Sequence, residues 1–159
     1  IISKYGKANK GYPGMYIEMG PEGYFIYGGV YMPEKAEIEK IDAPDAKLAR
    51  IVELHLERLG ADRDLAVVFQ VELRGSTKFM QEFSAAGFRE YLDIICGAIA
   101  EGQRRRVFRI DVKPIVAAKI FYGAIDEMVT NWVLSEKHYP LAPMAGEVVK
   151  VLFDGMRAK

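Results

Sequence analysis

The most strongly patterned part of this chain reads DRDLAVVFQVELRGSTKFM (62–80), REYLDIICGAIAEGQ (89–103) and VFRIDVKPIVAAKIFYGAIDEMVTNWVL (107–134). In each segment apolar residues return every three or four positions, and charged residues fill most of the positions between them. This spacing places the apolar side chains on one face of an α-helix. The stretch therefore predicts amphipathic helices packed around a shared core.

Turn-forming residues indicate where the predicted helices begin and end. Pro44 stands at a first turn, Gly60 follows the last apolar position of that helix, and Asp62 is placed to cap the next one. Proline at a helix start and glycine just past its end are the expected boundary signals. The predicted helices span 44–60, 62–75, 76–103, 114–135 and 143–157.

Residues 1–45 follow a different pattern, in which glycine and proline separate short aromatic and β-branched runs. The runs 15–19 and 24–27 predict two strands, and Gly20-Pro21-Glu22-Gly23 between them predicts a hairpin loop. An isolated hairpin is marginal in water, so it must pack on the helices or pair with another chain. We expect a mainly α fold, a five-helix bundle over 46–159 with a short N-terminal β-hairpin appendage over 1–45.

Composition argues against several classes of function. Lys+Arg and Asp+Glu both number 22, so the formal charge is +0 and no general nucleic-acid footprint is indicated. Cys96 is the single cysteine, and His55 and His138 lack metal-ligand spacing. Neither a membrane-spanning apolar run nor a signal-peptide layout is present. The expectation is a cytoplasmic protein that is not an enzyme, with no catalytic residue, metal, cofactor or membrane contact.

Several segments together resemble a known family. They are DLAVVFQVELRGS (64–76), then Glu101-Gly102 with VFRID (107–111), Pro114, Ala117-Ala118 and Asp126-Glu127, and finally TNWVL (130–134) with YPL (139–141). Residues 46–159 resemble the C-terminal ligand-binding and dimerisation domain of TetR-type transcriptional regulators, most closely the FadR-like regulators of fatty-acid degradation. Arg106 departs from the family pattern, which usually has a helix-ending glycine there. A residue with a side chain is mildly costly in a left-handed cap, so a different turn is expected at this position.

This resemblance implies a homodimer, in which helices 114–135 and 143–157 of two subunits form a four-helix bundle. It also implies repression of transcription through operator DNA, although the chain shows no helix-turn-helix ahead of the resembling part. The alternative for the two helices is that both are simply core. The predicted dimer-interface residues are Gly123, Met128, Trp132, Met144, Val148, Val151 and Leu152.

The resemblance further implies a small apolar effector, with long-chain acyl-CoA suspected, in a tunnel inside the bundle. Each predicted lining position is also consistent with ordinary core packing, and the polar ones with structural contacts between helices; Asp126 is a further polar position of this kind. The predicted ligand-binding residues are Phe69, Gln70, Leu73, Arg74, Phe79, Phe83, Tyr91, Ile95, Phe121, Ile125, Asn131 and Trp132.

The densest basic cluster lies in residues 104–113. Arginine forks match phosphate oxygens, so Arg105, Arg109 and Lys113 are predicted to form a rim for the CoA phosphates. Alternatively, these cations stabilise the end of the preceding helix and are otherwise solvated.

A different function remains open for residues 1–45. Residues 1–41 weakly resemble a conserved, uncharacterised bacterial domain family, from which no activity carries over. The alternative to an effector domain is a small, non-enzymatic structural or interaction protein that uses the N-terminal hairpin to pair with a partner.

Overall fold

The computed structural model describes residues 14–20, 23–29, 35–67, 70, 85–137 and 139–158. Over these residues the chain is mainly helical, with two strands preceding six α-helices. The elements are β1 Gly14–Gly20, β2 Gly23–Gly29, α1 Lys35–Glu39, α2 Pro44–Ala61, α3 Arg63–Val67, α4 Ala85–Arg104, α5 Pro114–Leu134, a 3₁₀ turn at Ala142–Met144 and α6 Ala145–Met156. None of the helices in these residues is long and apolar enough to cross a membrane.

The two strands pair with each other in antiparallel register. Gly14 stands opposite Gly29, and Gly20 stands opposite Gly23. That this pair forms an appendage of the helical bundle stays a prediction of the sequence.

The helix count differs from the sequence-based expectation of five. The additional helix is α1, which lies within residues 1–45, where the sequence predicts a β-hairpin and no helix. Ile38 on α1 is only 2% exposed and belongs to the main hydrophobic core. The sequence signal is weak here because a helix of five residues makes little more than one turn, so no apolar periodicity can be recognised in it.

Helix α2 lies at the centre of the bundle and packs against α1, α4, α5 and α6. Leu48, Ile51, Val52 and Leu56 recur at helical spacing, and each is at most 1% exposed. Pro44 stands in its first turn, as predicted. At the other end, Asp62 accepts a hydrogen bond from the backbone N–H of Leu65 at 3.1 Å, which confirms its predicted role as the cap of α3.

Helix α5 runs through the domain and is apolar on most of its surface. Its inward face buries Ala118, Phe121, Ile125 and Val129 completely. Its outward face still carries Ile120, which is 61% exposed. A helix that is apolar on nearly all sides is usually covered on all sides, so the outward face of α5 suggests a further contact.

The end of α4 forms the left-handed turn that the family pattern predicts, despite the absence of glycine. Arg106 has a φ of 60°, and its N–H donates to Gln103 O at 3.1 Å while Val107 N–H donates to Gly102 O at 2.8 Å. These two bonds are those of a Schellman motif. The expectation that the turn would differ is wrong, because the hydrogen bonds hold Arg106 in a conformation that glycine would adopt without strain.

The segment after this turn is tied to the end of α6. Arg109 N–H donates to Met156 O at 2.9 Å, and Ala158 N–H donates to Val107 O at 3.1 Å. Between them Phe108 turns inward, 1% exposed, and packs against Phe153 with ring centroids 5.8 Å apart. The connector therefore fixes α6 against the end of α4.

Candidate functional site

A cluster of polar side chains lies inside the otherwise apolar bundle. It consists of His55 on α2, Gln70 after α3, Tyr91 on α4, and Tyr122 and Asp126 on α5. We call these residues the polar cluster. Gln70 is 8% exposed and Asp126 is 7% exposed. A buried polar group must find a partner to be tolerated, so Gln70 and Asp126 require their contacts within the cluster. His55, Tyr91 and Tyr122 are half-buried.

Asp126 organises one half of the polar cluster. Its Oδ1 atom accepts a hydrogen bond from Gln70 Nε2 at 3.0 Å and another from Tyr122 Oη at 2.9 Å. Tyr122 lies one turn before Asp126, which brings both to the same face of α5. Gln70 is thereby attached to the middle of α5.

His55 and Tyr91 form the other half. The Nδ1 atom of His55 lies 3.1 Å from the Tyr91 hydroxyl, and the ring of Tyr122 meets the ring of Tyr91 edge-on with centroids 5.8 Å apart. Burial raises the pKa of Tyr91 far above its ordinary value, and the negative charge of Asp126 acts in the same direction. Tyr91 therefore keeps its proton and offers a neutral hydroxyl to the site.

A separate apolar groove lies at the connector end of the bundle, between α4, α5 and α6. Its volume is about 270 Å³. Arg109 and Gln103 stand at its polar edge, and Phe121, Ile120 and Val151 are among the apolar residues that line it. The groove thus brings one predicted rim residue next to one predicted lining residue.

The predicted phosphate rim is largely occupied by ion pairs within the chain. Arg105 makes a two-pronged contact with Asp42, at 3.0 and 3.1 Å, and also contacts Glu101 at 2.6 Å. The hydrogen bond from Arg105 lowers the pKa of Asp42. Arg109 Nε donates to Asp111 at 2.6 Å. Lys113 is exposed at the N-cap of α5. A phosphate would therefore compete with carboxylates for both arginines.

Arg63 joins α3 to the end of α5 by a contact that the sequence did not indicate. Its guanidinium donates to the carbonyl oxygens of Trp132, Val133 and Ser135 at 3.0, 2.7 and 3.0 Å. It also lies 5.3 Å from the centroid of the Trp132 ring. A cation that bonds the last carbonyls of a helix satisfies groups that would otherwise lack partners. This contact and the Gln70–Asp126 bond hold the α3 segment, defined as residues 63–67 and Gln70, to α5 at two points.

The predicted ligand-binding residues fall into several environments. Gln70 and Tyr91 meet in the polar cluster, whereas Asn131 lies on the exposed side of α5 and hydrogen-bonds Glu127. Ile95, Phe121 and Ile125 are fully buried in the core. The predicted residues that lie outside the described part of the chain are Phe69, Leu73, Arg74, Phe79 and Phe83.

The predicted dimer-interface residues are likewise divided. Trp132 is buried within its own subunit, 6% exposed, with its indole N–H donating to Tyr139 O at 2.7 Å. Gly123 and Val151 lie at the surface, and Val151 is 74% exposed. The half-buried members are Met128, Met144, Val148 and Leu152.

Sequence reasoning missed His55 and Tyr122 as parts of a site. From the sequence, His55 is considered only as a metal ligand and rejected in that role, and Tyr122 is not singled out. A signal was nevertheless present, because His55 lies four residues after the core position Ile51 and three after Val52, on the inward face of α2. A polar residue in an apolar register is the pattern that would have found it.

Comparison with known proteins decides the family of this chain. The family described as YsiA-like protein, C-terminal region, of the TetR type, matches residues 30–155. The chain belongs to this TetR-type family. The match begins before α1, so it includes the short helix that the sequence patterns did not predict.

Individual relatives point to regulators of fatty-acid metabolism. The fatty acid metabolism regulator protein of Bacillus subtilis (strain 168) is 31% identical over 121 residues, which are 76% of this chain and 62% of that protein. The structure of the transcriptional regulator FadR from Bacillus subtilis in complex with stearoyl-CoA superposes with a TM-score of 0.71 at 29% identity, covering 76% of this chain and 65% of that one.

The fatty acid degradation regulator FadR from Bacillus halodurans gives a TM-score of 0.70 at 28% identity, covering 77% of this chain and 66% of that one. The chain thus spans less than two thirds of the length of each of these relatives. What it shares with them is a FadR-like C-terminal regulatory domain. The relatives are regulators and not enzymes by their names.

Proposed function

We propose that this domain senses a long-chain acyl-CoA or a similar apolar ligand and controls a transcriptional repressor that binds operator DNA. The observation that carries the proposal is the close relation to a regulator whose structure holds stearoyl-CoA. The polar cluster supports it, because ligand sites are apolar with a few precisely placed polar groups. Such a domain performs no chemistry on its ligand.

The proposed response passes through the α3 segment. Gln70 and Arg63 attach this segment to α5 at the polar cluster and at the end of the helix. A ligand that binds one arrangement of these contacts more tightly than another shifts the equilibrium toward that arrangement by as much as its two affinities differ. The position of α5 changes with the arrangement. We further propose that the regulatory unit begins with α1, since Ile38 lies in the core.

Thermal melting tests the proposed ligand. Stearoyl-CoA at about 100 times its Kd is expected to add about 2.7 kcal/mol to the free energy of unfolding, which raises Tm by several degrees. Free CoA and free stearic acid serve as controls, since each carries one part of the ligand. A rise with stearoyl-CoA that neither control reproduces supports the proposal, and no rise with stearoyl-CoA contradicts it.

We propose that the domain acts as a homodimer through the outward face of α5 and α6. Ile120 on α5 and Val151 on α6 are 61% and 74% exposed, and both line the apolar groove. Exposed apolar groups that lie together on the surface typically mark an interface. A second copy of this chain would cover both residues in a symmetric contact.

Replacing Val151 by glutamate tests this interface. The side chain is exposed in the subunit, so Val151→Glu is expected to keep the helical circular-dichroism spectrum while weakening dimerisation at least about tenfold, because a charge becomes buried between subunits. Sedimentation velocity over a concentration series measures the change. The matched control is Ile110→Glu in the connector, where Ile110 is 78% exposed. A monomeric parent protein, or a Val151→Glu variant that dimerises as well as the control, would contradict the proposal.

A further inference from the structure

The side-chain amide of Gln70 makes a hydrogen bond through its nitrogen, whereas its oxygen has no partner among the described residues. Its Nε2 atom donates to Asp126 Oδ1 at 3.0 Å. Its Oε1 atom is buried, and no donor among the described residues reaches it. Gln70 as a whole is 8% exposed, so the unpartnered acceptor is shielded from water.

The orientation of this amide is fixed by its neighbours. Asp126 Oδ1 already accepts from Tyr122 Oη at 2.9 Å, and a carboxylate oxygen accepts hydrogen bonds. Turning the amide over would place Gln70 Oε1 against Asp126 Oδ1, so that two acceptors would face each other. The open atom is therefore the oxygen and the group that is lacking is a hydrogen-bond donor.

A buried acceptor that lacks a donor is disfavoured. An apolar side chain of the same shape would avoid the cost of this unpaired oxygen. The position of Gln70 makes the polar choice informative. It lies where the α3 segment meets α5, beside the hydroxyl of Tyr122, which contacts the same carboxylate. A polar atom that is open inside a ligand-sensing bundle is suited to read a polar group of the ligand.

We propose that Gln70 Oε1 accepts a hydrogen bond from an O–H or N–H group of the bound acyl thioester. This inference rests on the proposed function and adds a selectivity to it. A saturated hydrocarbon chain carries no such donor. A β-hydroxyacyl chain carries one in its hydroxyl, and the pantetheine arm of any acyl-CoA carries donors in its amide groups. The protein would then distinguish ligands by the donor that reaches Gln70 and not by chain length alone.

Calorimetric titration of the parent protein and of Gln70→Met tests this contact. Methionine has nearly the shape of glutamine but offers no carbonyl acceptor. The ligands are hexadecanoyl-CoA, its β-hydroxy derivative and free hexadecanoic acid. The loss of one neutral hydrogen bond is expected to weaken, about tenfold, the binding of each ligand whose donor reaches Gln70 Oε1. A loss confined to the β-hydroxy derivative assigns the donor to the acyl chain. A loss shared by both CoA esters, with none for the free acid, assigns it to the pantetheine arm.

A second variant separates this contact from general damage to the cluster. Tyr122→Phe removes the other donor to Asp126 but leaves Gln70 Oε1 in place. It is expected to change the preference among the three ligands less than about twofold, whereas Gln70→Met changes it about tenfold. Equal affinities of Gln70→Met and the parent for every ligand, or an equal loss for all three, would overturn the inference while leaving acyl-CoA sensing intact. Failure of the parent protein to bind either CoA ester would overturn acyl-CoA sensing as well.

Discussion

Gly102→Ala is expected to destabilise the domain by at least about 2 kcal/mol, despite the higher helix propensity of alanine. A Cβ atom at position 102 would lie 2.1 Å from Cδ2 and 2.5 Å from Cε2 of Phe108. Phe108 is 1% exposed and is held by its own backbone bond to Gly102 O and by Phe153, so its ring has no room to withdraw. Overpacking of this kind costs about 1–3 kcal/mol and more where the neighbour is fixed, which exceeds the propensity gain of about 1 kcal/mol.

Gly97→Ala is the matched control on the same helix. In the described part of the chain, no side chain or backbone atom outside the helix would lie within 4 Å of a Cβ atom at position 97. This variant is expected to be more stable than the parent by about 0.5–1 kcal/mol. Chemical denaturation at one fixed protein concentration measures both variants. Equal effects of the two substitutions would show that Phe108 does not pack over Gly102 as described.

Asp126→Leu is expected to destabilise the domain by about 3 kcal/mol, because it leaves the donors of Gln70 and Tyr122 without their acceptor inside the bundle. The sign is not obvious, since the substitution also removes a buried polar group and adds apolar surface. The donors of Gln70 and Tyr122 determine the sign of the change in stability, because a buried donor without a partner costs about 1–3 kcal/mol.

A double-mutant cycle separates these contributions. In the Gln70→Met background one of the two donors is already absent, so Asp126→Leu is expected to cost about 1–2 kcal/mol less than in the parent. Urea denaturation of the four proteins gives the coupling energy. A coupling energy near zero would mean that Gln70 and Asp126 do not interact, and Gln70 would not belong to the polar cluster.

The sequence predicted the parts of this fold that depend on local chemistry. Pro44 and Pro114 marked the starts of α2 and α5 because proline fits a first helical turn, and Asp62 capped α3 because its carboxylate reaches a free N–H group. The regularly spaced apolar residues of α2 became its buried face. The family resemblance, which rested on several separate segments, is confirmed by the match over residues 30–155.

Arg106 shows where local reasoning fails. Its departure from glycine suggested a different turn, since a side chain disfavours a positive φ. The turn is nevertheless kept, with φ at 60°, because backbone hydrogen bonds and the inward packing of Phe108 stabilise it more than the strain opposes it. Propensity is a small energy, and tertiary contacts override it.

The candidate site depended on tertiary structure for the same reason. His55, Tyr91 and Asp126 lie on three different helices, with His55 and Asp126 71 residues apart, and no spacing rule connects such positions. By itself the sequence determined which face of α2 is apolar, that α2 and α5 begin at prolines, and to which family the chain belongs, since these follow from periodicity, capping and distributed motifs. Only the tertiary structure decided that Asn131 faces outward, that Arg105 forms an ion pair with Asp42, and that Gln70 hydrogen-bonds Asp126. Each of these contacts depends on how whole helices are rotated against one another.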